Sequence, residues 1–412
     1  MRRVALIIPS ETYRATDFVE AAGALGVELV VASDRRSAMA AAMGDRSAVV
    51  DLDDPERAAA ALEALAARLP FEAVVGVDDR GVLAASAVAE RLGLRHGSSP
   101  AVGRARNKAA TREALDRTGV SQPRWRLLEA DADAGSVAQA VGLPCVVKPQ
   151  SLSASRGVIR ADTVDAARQA AQRVRSILDC AGQDRAAPLL IERYVPGVEV
   201  ALEGLIRAGR LHVLALFDKP DPLEGPFFEE TIYVTPSRHP DALQRAVIEA
   251  AERGLAALGL TEGPVHAEMR INDDGVHVLE IAARSIGGLC SRALRFGAGV
   301  SLEELILRHA LDLDVGDLRP AWAASGVMML PIPRRGVLRA VDGRDRARAV
   351  PGIEGLTITV PPGGEVVPLP EGDRYLGFLF ARASSPGEVE RAMRTAHRAL
   401  EIRIDEPGAG EC

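Results

Sequence analysis

The clearest pattern of apolar and polar positions runs from Val265 to Arg284. In residues 265–271 the polar His266, Glu268 and Arg270 alternate with Val265, Ala267, Met269 and Ile271, the period of two of a half-buried strand. Residues 276–283 supply a partner, and Asn272-Asp273-Asp274-Gly275 between them is a hairpin signal. Loop length decides which side chains share a face. A two-residue loop, Asp273-Asp274, sets Ile271 opposite Val276 and Glu268 opposite Leu279, so that Glu268 and Glu280 face opposite ways. A three-residue loop pairs Asn272 with Val276 and sets Glu268 against Glu280. The second register is the expectation, because it places Gly275 at the left-handed position that closes a type I turn. Two opposed carboxylates, their β-carbons roughly 5 Å apart, repel, and a cation between them relieves this. Oxygen-only donors suit Mg²⁺. A solvated hairpin with two exposed acids accounts for the same residues.

Upstream, apolar runs at residues 4–8, 27–32 and 73–77 alternate with helical spacing at 15–25, 55–68 and from Asp78-Asp79 to Leu92. Asp53-Asp54-Pro55 is a helix start. This order predicts a parallel α/β sheet. The turn Pro9-Ser10-Glu11-Thr12 lacks G-x-G-x-x-G and no G-K-[ST] occurs, so no dinucleotide is assigned. The crevice at the strand ends offers a place for a small polar substrate; a purely structural platform is the alternative.

The pattern changes near Gly97-Ser98-Ser99-Pro100. A helix carrying Asn107-Lys108 is expected to run to about Arg117, then strands at 125–128, 143–149, 189–195 and 199–206 and helices at 162–178 and 241–258. Residues 218–239 look irregular and proline-rich. Ser285-Ile286-Gly287-Gly288 is expected to open a helix, and residues 301–311 form another. Beyond about Leu318 come strands at 325–331, 336–341 and 355–360, a helix at 385–400 capped by Ser385 with Glu388, and a closing strand at 401–404. Pro407–Cys412 reads as a frayed tail.

Composition narrows the function classes. The chain of 412 residues suggests two to four domains or subdomains, and 47% hydrophobic with 26% charged residues gives ample core. Aromatic residues at 3% and a net charge of -7 argue against nucleic-acid binding. Cys145, Cys180, Cys290 and Cys412 show neither metal-site spacing nor a disulfide framework, so a reducing cytoplasm is the expectation. No apolar run reads as a signal peptide or membrane span.

Several positions carry chemistry. Lys148 ends a tight apolar strand, where an ammonium needs an anion. The stretch Ser151-Leu152-Ser153-Ala154-Ser155-Arg156-Gly157 can fold over phosphates with its backbone donors, or form an ordinary turn. Glu192 and Glu199 flank the Pro196-Gly197 break, a natural slot for an adenine with an acid to accept from ribose hydroxyls. Phe227-Phe228 beside Glu229-Glu230 suit a cationic ammonium group, or a surface loop with an aromatic staple. Backbone donors at Gly287 and Gly288 suit an anion. His266 either touches substrate or is a satisfied structural histidine.

Taken in order, Lys148, the Ser/Gly loop, Glu192, Glu199 and the hairpin ending E-I-A-A-R-S-I-G-G resemble the ATP-grasp superfamily, in its carboxylate–amine ligase branch, and especially the bacterial L-amino-acid ligases. The resemblance implies an N-terminal α/β domain at 1–100, ATP-grasp lobes at about 101–194 and 195–315, and a C-terminal α+β cap at 316–412. It implies that Lys108 and Lys148 contact ATP phosphates, with Lys148 also near the adenine, and that Ser151, Ser153, Ser155 and Gly157 belong to the mobile phosphate loop. Glu192 would meet the adenine amino group, Tyr194 and Val195 would present backbone to the base, and Glu199 would hold the ribose. Glu268 and Glu280 would ligate Mg²⁺, with Mn²⁺ as the alternative ion. Arg284 would face the transferred phosphate, with Arg284, Glu230, Gly287 and Gly288 toward substrate and His266 guiding the amine. The family often carries Asn two residues after the second glutamate, and here that place is Ala282. The implied reaction is ATP-dependent amide-bond formation between a carboxylate, an amino acid, and an amine through an acyl phosphate. The alternatives are a biotin-carboxylase-like or glycinamide-ribonucleotide-synthetase-like ligase, or a catalytically inactive nucleotide-binding module. Small amino-acid or amine substrates, a cytoplasmic location and a homodimer complete what the resemblance implies.

Overall fold

The structure, a computed structural model, describes residues 2–36 and 43–406; the tail at 407–412 lies outside the described residues. Its first unit is a parallel sheet in the order Ser47–Val49, Glu28–Ser33, Arg3–Ile7, Ala73–Gly76. Both faces are covered, which is why these strands read as continuous apolar runs. Ala5 and Ile7 pack into the core shared with the Pro55–Ala66 and Asp78–Leu92 helices, while Val4 and Leu6 face the core that holds Phe18 of the Ala15–Leu25 helix. The helix start at Asp54 is made as expected: its carboxylate accepts from Arg57 N, with Pro55 in the first turn.

The single helix expected through Asn107 is two, Ser99–Arg106 and Lys108–Thr118. Asn107 leaves helical geometry and its side chain accepts from Ala110 N, so it caps the second helix instead of continuing the first. The next unit is an antiparallel sheet in the order Trp125–Leu128, Leu189–Arg193, Cys145–Lys148, Ile159–Ala161, covered by helices Ala134–Val141 and Val164–Cys180.

An eight-stranded sheet follows, in the order Gly275–Ala282, Gly263–Asn272, Val198–Arg207, Arg210–Lys219, Ile232–Thr235, Ala324–Leu330, Gly377–Ala383, Ile353–Ile358. The segment expected to be irregular thus contains a strand, Ile232–Thr235, whose four residues are all buried. It joins Arg210–Lys219 to Ala324–Leu330, so hydrogen bonding is continuous into the C-terminal segment. There the Pro386–Arg398 helix, capped by Ser385 on Glu388 N, packs on the Ala324–Leu330 and Gly377–Ala383 strands. A smaller sheet of Glu365–Val366, Gly336–Asp342 and Glu401–Asp405 completes the chain.

The acidic hairpin corrects the expected register. Asn272 pairs with Gly275 and Ile271 with Val276, leaving Asp273-Asp274 as the loop. Carried on regularly, that register would set Glu268 against Leu279. An irregularity between Glu268 and Met269 passes over Leu279, and Glu268 pairs with Glu280 after all. Arg112, 1% exposed, holds the irregularity in place: its Nη2 donates to Leu279 O at 2.6 Å and its Nη1 to Val278 O at 3.3 Å. The turn chemistry and the bulge are separate facts, and only their sum sets the faces.

The expected helix start at Ser285–Gly288 is also corrected: a four-residue 3₁₀ turn, Cys290–Ala293, follows instead. Among the described residues, no helix is long and apolar enough to cross a membrane.

Candidate active site

A cavity of about 910 Å³ opens where the three sheets meet. It is lined by Lys108, Lys148, residues 151–156, Glu192, Tyr194, Val195, Glu199, Glu230, His266, Glu268, Glu280, Arg284, Gly287 and Gly288. Every site residue expected from the sequence except Gly157 therefore meets one space. Gly157 is turned away: its N–H donates to Pro370 O at 2.9 Å.

Glu192 is 4% exposed and pairs with Lys148 Nζ at 2.7 Å and Arg112 Nε at 2.6 Å. Burial alone would raise its carboxyl; Arg112 and Lys148 outweigh that and hold it at about 2. Burial, with Arg112 and Lys108 nearby, lowers Lys148 against the pull of Glu192. Arg112 thus joins the acidic hairpin to the Leu189–Arg193 strand.

Two backbone groups expected to face a base are already engaged. Tyr194 N donates to Pro144 O at 2.9 Å, and Val195 O accepts from Arg270 Nη1 at 2.8 Å. This leaves the carbonyl of Tyr194 and the N–H of Val195. The Tyr194 ring lies beneath the guanidiniums of Arg160 and Arg270, at 4.3 and 5.0 Å from its centroid, and stacks on Phe228. Phe227, by contrast, packs against the core of the Lys148 lobe.

The centre of the site is a residue the sequence reading passed over. Lys219 Nζ lies 2.7 Å from Glu199 Oε1 and 3.0 Å from Glu268 Oε1, and also donates to Glu230. The three carboxylates each place an oxygen within 4.8 Å of the others. Glu199 further accepts from Arg270 Nε at 3.0 Å. Burial raises Glu230 to about 7 despite Lys219, with Glu268 adding to the rise, whereas Lys219 and His266 hold Glu268 low against its burial. Lys219 is raised well above its ordinary value: burial opposes the charge, and the three glutamates outweigh it. The signal in the sequence was a lysine before a proline at the end of a strand, too weak to single out.

His266 stands between Glu203 at 3.1 Å and Glu268 at 3.5 Å. Burial would lower its imidazole, but hydrogen bonds to both glutamates raise it to about 9. Glu203 also accepts from Ile286 N at 3.0 Å, tying the residues before Gly287-Gly288 to the sheet.

Glu268 and Glu280 present only oxygen donors to the cavity, as a hard divalent cation requires. Each leans on a neighbouring cation, Glu268 on Lys219 and Glu280 on Lys108 at 3.5 Å. Ala282 lines the same wall without a donor. Opposite, Arg284 Nε and Nη2 each donate to Asp79 at 3.0 Å. A converging set of lysines and an arginine beside paired carboxylates can gather a polyanion and the metal that accompanies it.

Family models match in three places: an ATP-grasp N-terminal domain at 19–96, an ATP-grasp domain at 141–293, and an L-amino acid ligase C-terminal domain 2 at 328–405. The alanine–anticapsin ligase of Bacillus subtilis is 28% identical over 235 residues, 53% of this chain and 49% of that protein. The chain thus spans about half the length of this curated relative. The crystal structure of an L-amino acid ligase from Bacillus licheniformis superposes with a TM-score of 0.80 at 24% identity, covering 98% of this chain and 100% of that one. A carboxyaminoimidazole ribonucleotide synthase complexed with ATP, from asperigillus clavatus, superposes with a TM-score of 0.74 at 18% identity, over 97% and 98% of the two chains. The chain belongs to the ATP-grasp superfamily, among relatives and structural neighbours that are L-amino acid ligases and other carboxylate–amine ligases.

Proposed function

We propose that the protein is an ATP-dependent ligase that joins the carboxylate of an amino acid to an amine, releasing ADP and phosphate. The observation that carries this is the opposition of Glu268 and Glu280 across one hairpin, in a cavity they share with Lys108, Lys148 and Arg284. The three family-model matches fall within 1–100, 101–315 and 316–412, which supports that division of the chain.

In this reading Glu268 and Glu280 would hold Mg²⁺, or Mn²⁺, which when bound offsets the negative charge of the triphosphate. Ala282 adds no donor beside them. The substrate carboxylate attacks the γ-phosphate of ATP, forming an acyl phosphate and ADP. Lys108, Lys148 and Arg284 lower the repulsion between the two anions. The amine then attacks the acyl carbon, and Arg284 stabilises the tetrahedral oxyanion before phosphate leaves. The 151–157 loop keeps water from the acyl phosphate. Glu230 faces the ammonium group of the amino-acid substrate, and the backbone of Gly287 and Gly288 faces its carboxylate. His266, held between Glu203 at 3.1 Å and Glu268 at 3.5 Å, orients Glu268 and the substrate.

A mass screen with ATP, Mg²⁺ and pooled amino acids tests the reading. Condensed products and amino-acid-dependent phosphate release are expected without bicarbonate, and both should be lost in Glu280→Ala. Equal phosphate release by wild type and Glu280→Ala, or release that needs bicarbonate, sinks the proposal.

A further inference from the structure

We propose that Asp79, in the N-terminal α/β unit, is a positioning residue that aims Arg284 and fastens the 151–157 loop, so that loop closure and arginine placement are one event. Its catalytic part rests on the ligase reading above. Asp79 lies in the first turn of the Asp78–Leu92 helix, just beyond the Ala73–Gly76 strand. Both carboxylate oxygens accept from Arg284, one from Nε and one from Nη2, each at 3.0 Å. Such a fork fixes the plane of the guanidinium as well as its distance. Oδ2 also accepts from Ser153 Oγ at 2.6 Å. Asp79 is 16% exposed and Arg284 14%, so solvent does not compete freely for either.

The platform beneath Asp79 is stiff. A β-carbon on Gly76 would meet Val82 Cα at 2.4 Å, and one on Gly81 would meet Ile7 O at 2.5 Å. The helix start is therefore pressed against the strand ends with no room for a side chain, which suits a residue that must hold another in place. The loop has other ties: Lys108 Nζ donates to Leu152 O at 3.1 Å, Arg156 lies 3.5 Å from Asp373, and Gly157 N donates to Pro370 O. None of these reaches Arg284. Asp79 alone among them holds both the loop and the arginine, so the parallel α/β unit takes part in the chemistry and is more than a platform.

The test uses the full chain and four variants, Asp79→Asn, Asp79→Ala, Ser153→Ala and the double Asp79→Ala/Ser153→Ala. Steady-state kinetics are paired with hydrogen exchange of residues 151–157, with and without AMP-PNP and Mg²⁺. Asp79→Asn keeps the shape and loses the charge; it should lower kcat about 100-fold, as a misplaced group of about 1 Å does, with the KM for ATP little changed. AMP-PNP should protect the loop amides in wild type, and that protection should fall in Asp79→Ala and Ser153→Ala alike. The double variant should be no worse than Asp79→Ala, because both changes cut the same link. Wild-type kcat in Asp79→Asn, or loop protection unaltered in Ser153→Ala, overturns the proposal. If wild type shows no amino-acid-dependent turnover, the ligase reading fails, while nucleotide-dependent protection in Ser153→Ala still decides the fate of the latch.

Discussion

Removing the ammonium from the Glu199, Glu230 and Glu268 cage should destabilise the protein in a pH-dependent way. The perturbation is Lys219→Met, which keeps an unbranched apolar stem and removes the terminal ammonium. Oxygens of the three carboxylates lie within 4.8 Å of one another, and at an effective dielectric constant of about 20 each ionised pair repels by about 3.5 kcal/mol. Three charged carboxylates cannot persist there, so a proton stays on Glu230, the member that burial already holds at about 7. Losing one partner of a buried ion cluster costs about 3–5 kcal/mol. For 412 residues unfolding as a unit, that is a fall in Tm of about 4–6 °C. The sign with pH follows from linkage. Above pH 7 the wild-type Glu230 has shed most of its proton, whereas the variant retains it in the folded state and releases it on unfolding. The folded variant thus binds the extra proton, and its deficit should widen by about 1.4 kcal/mol per pH unit, or about 2 kcal/mol from pH 7.0 to 8.5. Thermal unfolding of both proteins at the two pH values, in EDTA so that no divalent ion fills the cage, measures this. A Tm loss that is the same at both pH values, or absent, would refute the reasoning, because it would mean that the carboxylates do not depend on the lysine charge.

Two further outcomes are expected. The folded His266 imidazole, raised to about 9 from an ordinary 6.5, contributes stability that is complete below pH 6.5 and lost as pH rises through about 9. The gap between wild type and His266→Asn should therefore shrink by about 3 kcal/mol across that window, and an imidazole NMR titration should centre near pH 9 and not 6.5. Arg112→Met leaves the carbonyls of Val278 and Leu279 without their donor and Glu192 with Lys148 alone. A loss of about 3–5 kcal/mol and weaker ATP binding by calorimetry are expected, and a Tm within 1 °C of wild type would show that the bulge holds itself.

The sequence by itself determined most of the elements and the residues of the cavity. Alternation with a period of two marked the Gly263–Asn272 strand, and continuous apolar runs marked the strands buried on both faces, because those periods follow from backbone geometry alone. Capping chemistry at Asp54 and Ser385 acts over three residues and was legible for the same reason. What the tertiary structure decided was every outcome resting on a distant partner. The hairpin turn took the other register, and the glutamates still met, because Arg112 from another helix holds a bulge at Leu279. Ile232–Thr235 became a strand in a proline-rich stretch because Arg210–Lys219 and Ala324–Leu330 offered unpaired edges on both sides. Lys219 and Asp79 matter through partners as far as 49 and 205 residues away. Charge pairing of that range leaves no period in the chain, since its energy depends on separation in space and on burial, and the fold alone fixes both.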